Sequence, residues 1–224
     1  MKNTIVSITL IIFTALQINA QDRSGILSAG EQSVGLATGM DYSILPAILS
    51  YNRGMDAFNF ENPINVGLEA TIPMYAFDLN DIRLKIVTDI TVLRKRSFEI
   101  RAGINPVFIN TKLQTETMSS LGVDLHVFVG ITKEKWSYGG EATYNKIFTT
   151  HIKHTDKYRD LVFADAVDGW YKNTAGNIQA GIYVNRRIKK FDLSFRTGMS
   201  KTARLNEYLL VPTFYGIMGL EYRF

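Results

Sequence analysis

The sequence of 224 residues contains no cysteine and no long apolar run in its main body. Without cysteine, the chain can form neither a disulfide framework nor a thiolate metal site, and it has no thiol for N-terminal lipid modification. No apolar stretch reaches the roughly 17 to 25 residues that a membrane-spanning helix needs. The fold must therefore be stabilised by packing and hydrogen bonds.

The longest apolar stretch lies near the start of the chain, over residues 5–16, and follows Lys2. At about 12 residues it is too short for a spanning helix. A basic head, a short apolar stretch and a polar segment before Ala20 are typical of a cleavable secretory signal. We predict a signal peptide over residues 1–20, with an uncleaved anchor as the alternative, and a single mature domain over 21–224.

The basic residues of the chain are clustered, while the net charge is only +4. A nucleic-acid surface is expected to form one basic stripe with interleaved aromatic residues. Separate clusters instead favour solvated turns that face anionic lipid head groups. The clusters lie at residues 94–96, 133–135 and 186–190. We therefore predict no nucleic-acid partner, and the sequence contains no cofactor motif.

Apolar residues recur with a period of two along most of the chain, which is the period of a β-strand with one apolar face. In the clearest segment, every second residue from Leu121 to Ile131 is apolar, while Asp124 and His126 lie on the other face. Such segments are close to the 9 to 11 residues that a tilted strand needs to cross a bilayer. We predict strands over 31–41, 42–53, 62–73, 80–93, 97–110, 119–132, 135–148, 173–186, 190–201 and 209–224. Ten strands are expected, or eight if the early segments are miscounted.

The last predicted strand alternates apolar and polar residues and ends with Tyr222-Arg223-Phe224. This strand, the signal and the strand pattern resemble those of small bacterial outer-membrane β-barrels of the OmpA and OmpX type. The resemblance implies an all-β fold, a closed antiparallel transmembrane β-barrel, with an even strand number and both termini in the periplasm. It also implies export to the outer membrane, contact with outer-membrane lipids, and reading of Tyr222 and Phe224 by the barrel assembly machinery. The sequence departs from OmpA in having no peptidoglycan-binding domain after the barrel, so a cell-wall anchoring role is not expected.

Counting back from the last strand assigns each connection to one side of the membrane. Short basic turns fall on the periplasmic side, at 94–97, 133–134 and 186–189. Mostly longer connections fall outside, at 74–79, 111–118, 149–172 and 201–208. Short inner turns and longer outer loops are typical of outer-membrane barrels, which supports the predicted architecture.

Charged residues of both signs occupy the polar strand faces, which we expect to line the lumen. A barrel of about eight strands has an interior that side chains can fill, so ion pairs and trapped water are predicted there. The predicted polar network comprises Glu69, Arg83, Lys85, Asp89, Glu99, Arg101, Asp124, His126, Glu141, Asp192, Arg196, Glu221 and Arg223. Turn lengths predict the cross-strand pairs His126–Glu141, Asp89–Arg101 and Gln179–Arg196. A slip of two residues would keep the faces and change every partner.

His126 and Glu141 form the one His–carboxylate pair that the predicted strands offer, and such a pair can act as a general base. A nucleophile is missing beside them, because Ser137 lies nearer the periplasmic end. Lipid-modifying barrel enzymes place their His and Ser by the outer leaflet. We therefore predict a paired lumen histidine and no catalytic residues.

The segment 149–172 is the largest predicted outer loop. Its His151 and His154 have a spacing that can bind metal, but no fixed third ligand accompanies them, so no metal site is predicted. The loop is also rich in apolar and aromatic residues, which favours a short helix on the barrel rim or a recognition surface. The candidate binding residues are Tyr158, Phe163, Trp170 and Tyr171.

These patterns predict a non-enzymatic envelope protein that binds another envelope protein or a surface glycan through its outer loops, chiefly 149–172. The first alternative is a narrow channel for small solutes. The second is a lipid-modifying barrel enzyme. A secreted soluble barrel with an apolar lumen is a further alternative, although charges on one strand face disfavour it.

Overall fold

The computed structural model describes residues 27–41, 44–56, 64–74, 80–202 and 213–224, apart from the side chains of residues 44, 173 and 174. The predicted signal peptide lies outside the described residues. The elements are β1 (Gln32–Met40), β2 (Ile44–Met55), β3 (Ile64–Pro73), β4 (Ile82–Lys95), β5 (Phe98–Lys112), β6 (Glu116–Thr132), β7 (Trp136–His154), α1 (Asp156–Leu161), β8 (Gly169–Ile188), β9 (Phe191–Thr202) and β10 (Phe214–Arg223). No helix among the described residues is both long and apolar enough to cross a membrane.

The ten strands form one closed antiparallel barrel. Each strand pairs with its neighbours in sequence, and β1 closes the ring by pairing with β10 from Ser33↔Arg223 to Met40↔Gly216. Closure leaves no unpaired sheet edge, so the backbone groups of every strand find partners within the sheet. The predictions of an all-β fold and of ten antiparallel strands are confirmed.

The two ends of the barrel differ in their connections. At the terminal end, where Phe224 bonds to Gln32, the turns at 96–97, 133–135 and 189–190 are short. Arg96 and Lys189 open two of these turns with φ values of 56°, the left-handed region that two-residue hairpin turns use. The opposite end, called the loop end, has the segment between β7 and β8.

The central strands are longer than the alternation predicts. β7 and β8 pair as far as Ile152↔Gly169, so the predicted loop 149–172 is reduced to residues 155–168. Similarly, the predicted connection 111–118 is a turn of residues 113–115. Both boundary predictions were wrong. For the loop 149–172, a bulge between Ile147 and Thr149 shifts the register, which breaks the period-two pattern without ending the pairing. For the connection 111–118, β5 and β6 keep one register as far as Lys112↔Thr117.

The predicted cross-strand pairs were also wrong in register. The structure pairs His126 with Thr143, Arg101 with Thr91 and Gln179 with Ser200. The first and third errors come from turn length, since the turns are 133–135 and 189–190 instead of 133–134 and 186–189. The second involves a two-residue turn and a bulge between Thr91 and Leu93. All three shifts are even, so each residue keeps its predicted face.

The barrel has an apolar exterior and a polar interior. On the outside, Leu68 is 61% exposed and Ile104 is 64% exposed, whereas inside Glu99 and Asp192 are 0% and 2% exposed. A barrel that carries a hydrophobic ligand in water has the opposite arrangement. The core of this protein is therefore a network of charged side chains.

Glycine pairs make room for the few large side chains of the interior. Gly130 and Gly139 face each other across β6 and β7. A Cβ added to Gly130 would lie 2.5 Å from the ring of Phe128, which is 1% exposed. The bare backbone at Gly130 therefore fixes where the Phe128 ring lies in the lumen.

Candidate functional site

At the terminal end, the wall of the lumen carries a buried cluster around Asp192, which we call the terminal layer (Glu31, Arg187, Asp192 and Arg223). Asp192 accepts hydrogen bonds from Arg187 Nε at 3.1 Å and from Arg223 Nε at 2.5 Å. Arg223 also contacts Glu31, with 3.3 Å between Nη1 and Oε2. The layer joins β8, β9 and β10 to the residue before β1, so it ties the closing seam of the barrel together.

The seam is reinforced by Glu221 on β10. Its carboxylate accepts hydrogen bonds from the hydroxyl of Ser33 on β1 and from Asn52 on β2, the latter at 3.4 Å. Ser33 is fully buried. Side chains of β1 and β2 thus both donate hydrogen bonds to the Glu221 carboxylate of β10 inside the barrel.

Ion pairs in the middle of the barrel link β3, β4 and β5. Lys85 Nζ lies 2.6 Å from Glu69 Oε1, between directly opposite residues of β3 and β4. Arg101 Nη1 lies 3.3 Å from Asp89 Oδ2, although the two residues are not opposite each other. The predicted contact between Arg101 and Asp89 therefore forms diagonally, because their long side chains span the two-residue offset.

Arg101 also packs against two aromatic rings. Its guanidinium carbon is 4.1 Å from the centre of the Phe128 ring and 5.8 Å from that of Tyr183. The two rings meet edge to face at 5.6 Å. Such cation–π contacts contribute more in a desolvated site than on a surface. They hold Arg101 and Tyr183 in fixed positions in the lumen.

His126 and Glu141 lie near each other without forming a short hydrogen bond. Nε2 of His126 is 4.0 Å from Glu141 Oε2, and Glu141 accepts a hydrogen bond of 3.0 Å from the hydroxyl of Tyr215. Ser137 does not face His126; its hydroxyl lies 3.1 Å from that of Thr132 at the terminal end. This arrangement resembles part of a lumen network more than a nucleophile and its base.

At the loop end, a second buried cluster crosses the lumen, which we call the loop-end layer (Asp41, Arg83, Asp124 and Asn145). Arg83 Nη2 is 2.5 Å from Asp124 Oδ2 and Arg83 Nη1 is 3.8 Å from Asp41. Asn145 donates a hydrogen bond to the other oxygen of Asp124. The layer joins β4, β6 and β7 to the end of β1.

Between the two layers lies a central cavity of about 190 Å³. Leu27, which is 2% exposed, lines it with the charged residues of the network. The predicted network residues that line it are Glu69, Lys85, Asp89, Arg101, Asp124, His126, Glu141, Arg196, Glu221 and Arg223. The remaining three, Arg83, Glu99 and Asp192, are buried in ion pairs outside it.

Two residues of the network, Tyr215 and Arg187, were not predicted from the sequence. Tyr215 lies an even number of residues from Glu221 and Arg223 on β10, so its side chain could have been predicted to point inward with theirs. Arg187 was assigned to a turn, yet it lies opposite Asp192 because the turn has only two residues. Strand alternation was enough to identify Tyr215, whereas Arg187 could be placed only once the length of the turn was known.

At the loop end, β7 and β8 are joined by a segment that contains the short helix α1, and we call residues 154–171 the hairpin tip. The short helix α1 begins after Thr155, whose hydroxyl oxygen accepts a hydrogen bond of 3.3 Å from the backbone N–H of Tyr158. The Thr155 hydroxyl also donates to the carbonyl of Thr115 in the β5–β6 turn, at 3.0 Å. The tip is thus anchored to the neighbouring hairpin.

Asp168 organises the hairpin tip. It accepts hydrogen bonds from the backbone N–H of His154 at 2.8 Å and from Arg159 at 2.7 Å, and it contacts the His154 ring at 3.0 Å. The hydrogen bond from the His154 backbone, helped by Arg159, lowers the pKa of Asp168 to about 2. The His154 ring in turn stacks on Tyr158, with ring centres 4.9 Å apart.

Large apolar side chains of the hairpin tip remain exposed. The most exposed are Leu161, Val162, Val167 and Trp170, which range from 62% to 73%, with Phe163 at 55%. We call these five the apolar tip residues. Of the other candidate binding residues, Tyr158 is stacked on His154, and Tyr171 donates its hydroxyl hydrogen to the carbonyl of Val167 at 2.7 Å. The apolar tip residues thus sit on a segment held by hydrogen bonds and ion pairs.

Nothing in the described part of the chain groups three or more His, Asp or Glu side chains closely enough to hold a metal ion. His151 contacts Trp170, with ring centres 5.1 Å apart, and His154 is engaged by Asp168. No protein-family model matches the chain, and no curated protein matches it.

Proposed function

We propose that this chain is a bacterial outer-membrane β-barrel that reaches its membrane after export through the periplasm. The observation that carries the proposal is the apolar exterior around a charged interior. Side chains such as Leu68, Ile104 and Met218 are more than 60% exposed on the barrel wall. Apolar surface of this extent is unfavourable in water, while lipid chains cover it without cost. A closed barrel also satisfies every strand's backbone hydrogen bonds, as the membrane interior requires.

The proposed role is non-enzymatic: the protein binds another envelope component through the hairpin tip, a protein in particular. The apolar tip residues include Leu161, Val162 and Val167, whose aliphatic side chains match an apolar protein surface better than a sugar. Trp170 and Phe163 add aromatic rings of the kind that dominate protein interfaces. The ion pairs of Asp168 hold the segment in one conformation, which reduces the entropy lost on binding.

The structure of the lumen favours this role over conduction. The loop-end layer reaches across the lumen from the end of β1 to β4 and β6, and the central cavity below it measures about 190 Å³. An ion entering from the loop end would have to pass Arg83, which is paired with the buried Asp124. A planar-bilayer recording tests this point: stable conductance of the folded wild-type protein, changed in size or ion selectivity in Arg83→Gln, would favour the channel alternative.

The enzyme alternative requires a nucleophile beside His126. The residue opposite His126 is Thr143, whose hydroxyl makes no hydrogen bond to His126 in the described part of the chain, and Ser137 lies toward the terminal end. Comparing lipid A and phospholipids of cells that express the wild type or His126→Ala tests this class of function. A lipid species present only with the wild type would support the enzyme and contradict our proposal.

Membrane location is tested by fractionating cells and running the protein unboiled and boiled on a detergent gel. We expect it in the outer-membrane fraction, with a compact unboiled band that shifts on heating because the closed ten-stranded barrel resists detergent. Recovery in the soluble periplasmic fraction without a shift would contradict the membrane proposal.

Partner binding is tested with a photo-crosslinking amino acid at position 163 in intact cells. We expect one envelope protein to be crosslinked, and the adduct to be lost when Trp170 and Leu161 are both changed to Ser. A crosslinker at the exposed Val92 on the barrel wall is the control. The binding role fails if position 163 yields no adduct, or one that the double variant retains; an adduct with a surface glycan would redirect the partner assignment to the glycan.

A further inference from the structure

Arg196 on β9 lines the central cavity. Within the described ranges, its guanidinium donates no hydrogen bond and no carboxylate lies within 4.0 Å of it. The nitrogens of its guanidinium remain accessible from the cavity, because none of them is among the fully buried atoms without a hydrogen bond. Charged groups inside proteins are normally paired and hydrogen-bonded. The cavity therefore presents a guanidinium whose hydrogen-bonding positions are open.

Tyr183 supplies a second open donor beside Arg196. The two residues lie directly opposite each other on β8 and β9. The Tyr183 ring is fixed by its edge contact with Phe128, while its hydroxyl makes no hydrogen bond to any residue that the structure describes. That hydroxyl also remains in contact with the cavity. A planar guanidinium and an adjacent phenol hydroxyl form a donor set for a carboxylate, which takes two parallel bonds from arginine.

The charges around Arg196 limit which anion fits. The carboxylates of Glu69, Glu141 and Asp41 act on Arg196 from beyond 4.0 Å. They would repel a dianion such as phosphate more strongly than a monoanion. On the far wall, Asp89 belongs to β4, which lies opposite β9 in the order of the ten strands, and it is paired with Arg101. This pair offers no open cation to a second anionic group. The far end of the ligand must therefore carry no negative charge.

We propose that the central cavity binds a small monocarboxylate. Its two oxygens accept hydrogen bonds from the Arg196 guanidinium, and one of them also accepts from the Tyr183 hydroxyl. The cavity of about 190 Å³ is well above the roughly 10–15 Å³ that one water molecule needs, so acetate or propionate fits by displacing water. This site is separate from the hairpin tip and does not depend on the proposed partner.

Saturation-transfer NMR on the folded, detergent-solubilised full chain tests the site with acetate as the probe. We expect saturable transfer to the acetate methyl group, and none to that of acetamide, which has the same shape without the charge. Phosphate is expected to compete poorly. Absence of transfer to acetate, or equal transfer to acetamide, would overturn the proposal and leave a water-filled cavity.

Variants locate the site. Tyr183→Phe keeps the ring contacts and removes one donor, so acetate affinity should fall by about tenfold. Arg196→Lys keeps the positive charge but removes the planar guanidinium that can donate two parallel hydrogen bonds, so acetate affinity should fall by a similar or larger factor. Tyr138→Phe on the outer wall and Arg186→Lys at the Trp136 ring are matched controls that should leave affinity unchanged. Unchanged affinity in Tyr183→Phe, checked as folded by its unboiled gel band, is sufficient to reject the site even if Arg196→Lys fails to fold.

Discussion

Replacing Asp192 by Asn should strongly destabilise the barrel. The carboxylate is 2% exposed and lies between Arg187 and Arg223, with contacts of 3.1 and 2.5 Å. The change leaves two buried guanidinium groups near each other without the negative charge that neutralises them. Removing one partner of a buried ion pair costs about 3–5 kcal/mol. Glu31 still contacts Arg223, so we expect a loss near the lower end, about 3 kcal/mol.

The assay is reversible urea unfolding of the barrel in lipid vesicles, followed by the fluorescence of its two tryptophans. With a slope of about 1–3 kcal/mol per molar urea, the midpoint should fall by about 1–3 M. Asp156→Asn is the matched control, because Asp156 also pairs with an arginine but its side chain is 98% exposed. The control should lose less than about 1 kcal/mol. A loss below about 1 kcal/mol in Asp192→Asn would refute the reasoning that burial makes this layer important.

Two further changes probe the lumen packing and the hairpin tip. Gly130→Ala should cost about 1–3 kcal/mol in the same urea assay, because its Cβ would meet the Phe128 ring at 2.5 Å. Gly140→Ala, whose Cβ would have its nearest neighbour at 3.8 Å, should change stability little; equal losses would contradict the packing argument. The pKa of Asp168 is lowered to about 2, so its hydrogen bonds stabilise the tip fully above the ordinary carboxyl pKa near 4 and are lost as the pH falls through 2. The fluorescence of Trp170 in a Trp136→Phe background should report that loss between about pH 4 and pH 2, and a transition near pH 5 would contradict it.

The alternation of the sequence was enough to predict which residues face outward. The apolar series from Leu121 to Ile131 lies on the outer wall, and Leu125, Val127 and Val129 are each 42% exposed there. Strand faces follow from the two-residue period, which depends only on local backbone geometry. The same period predicted ten strands, or eight if the early segments were miscounted, and the structure has ten. Their antiparallel direction and closure were expected from the resemblance to outer-membrane β-barrels.

The register of strand pairing could not be predicted from the sequence. The two-residue turn at Lys189-Lys190 depends on a left-handed φ at a lysine, which composition does not indicate. It moves the partner of Gln179 by four residues and brings Arg187 against Asp192. The bulges in β4 and β7 similarly shift the pairing at places where no glycine or proline marks them. One residue of turn length or one bulge changes every pair that follows along the hairpin.

The sequence by itself determined the two faces of each strand, with charges on one and apolar residues on the other, because strand periodicity is a local property. The closed antiparallel arrangement was predicted from the resemblance to outer-membrane β-barrels, and the structure has that arrangement with ten strands. Only the tertiary structure decided which charges meet. Asp192 contacts Arg187 and Arg223, whereas Arg196 lies beside Tyr183 with no carboxylate in direct contact among the described residues. Partners across a lumen depend on register, strand tilt and closure together, and those are properties of the whole ring.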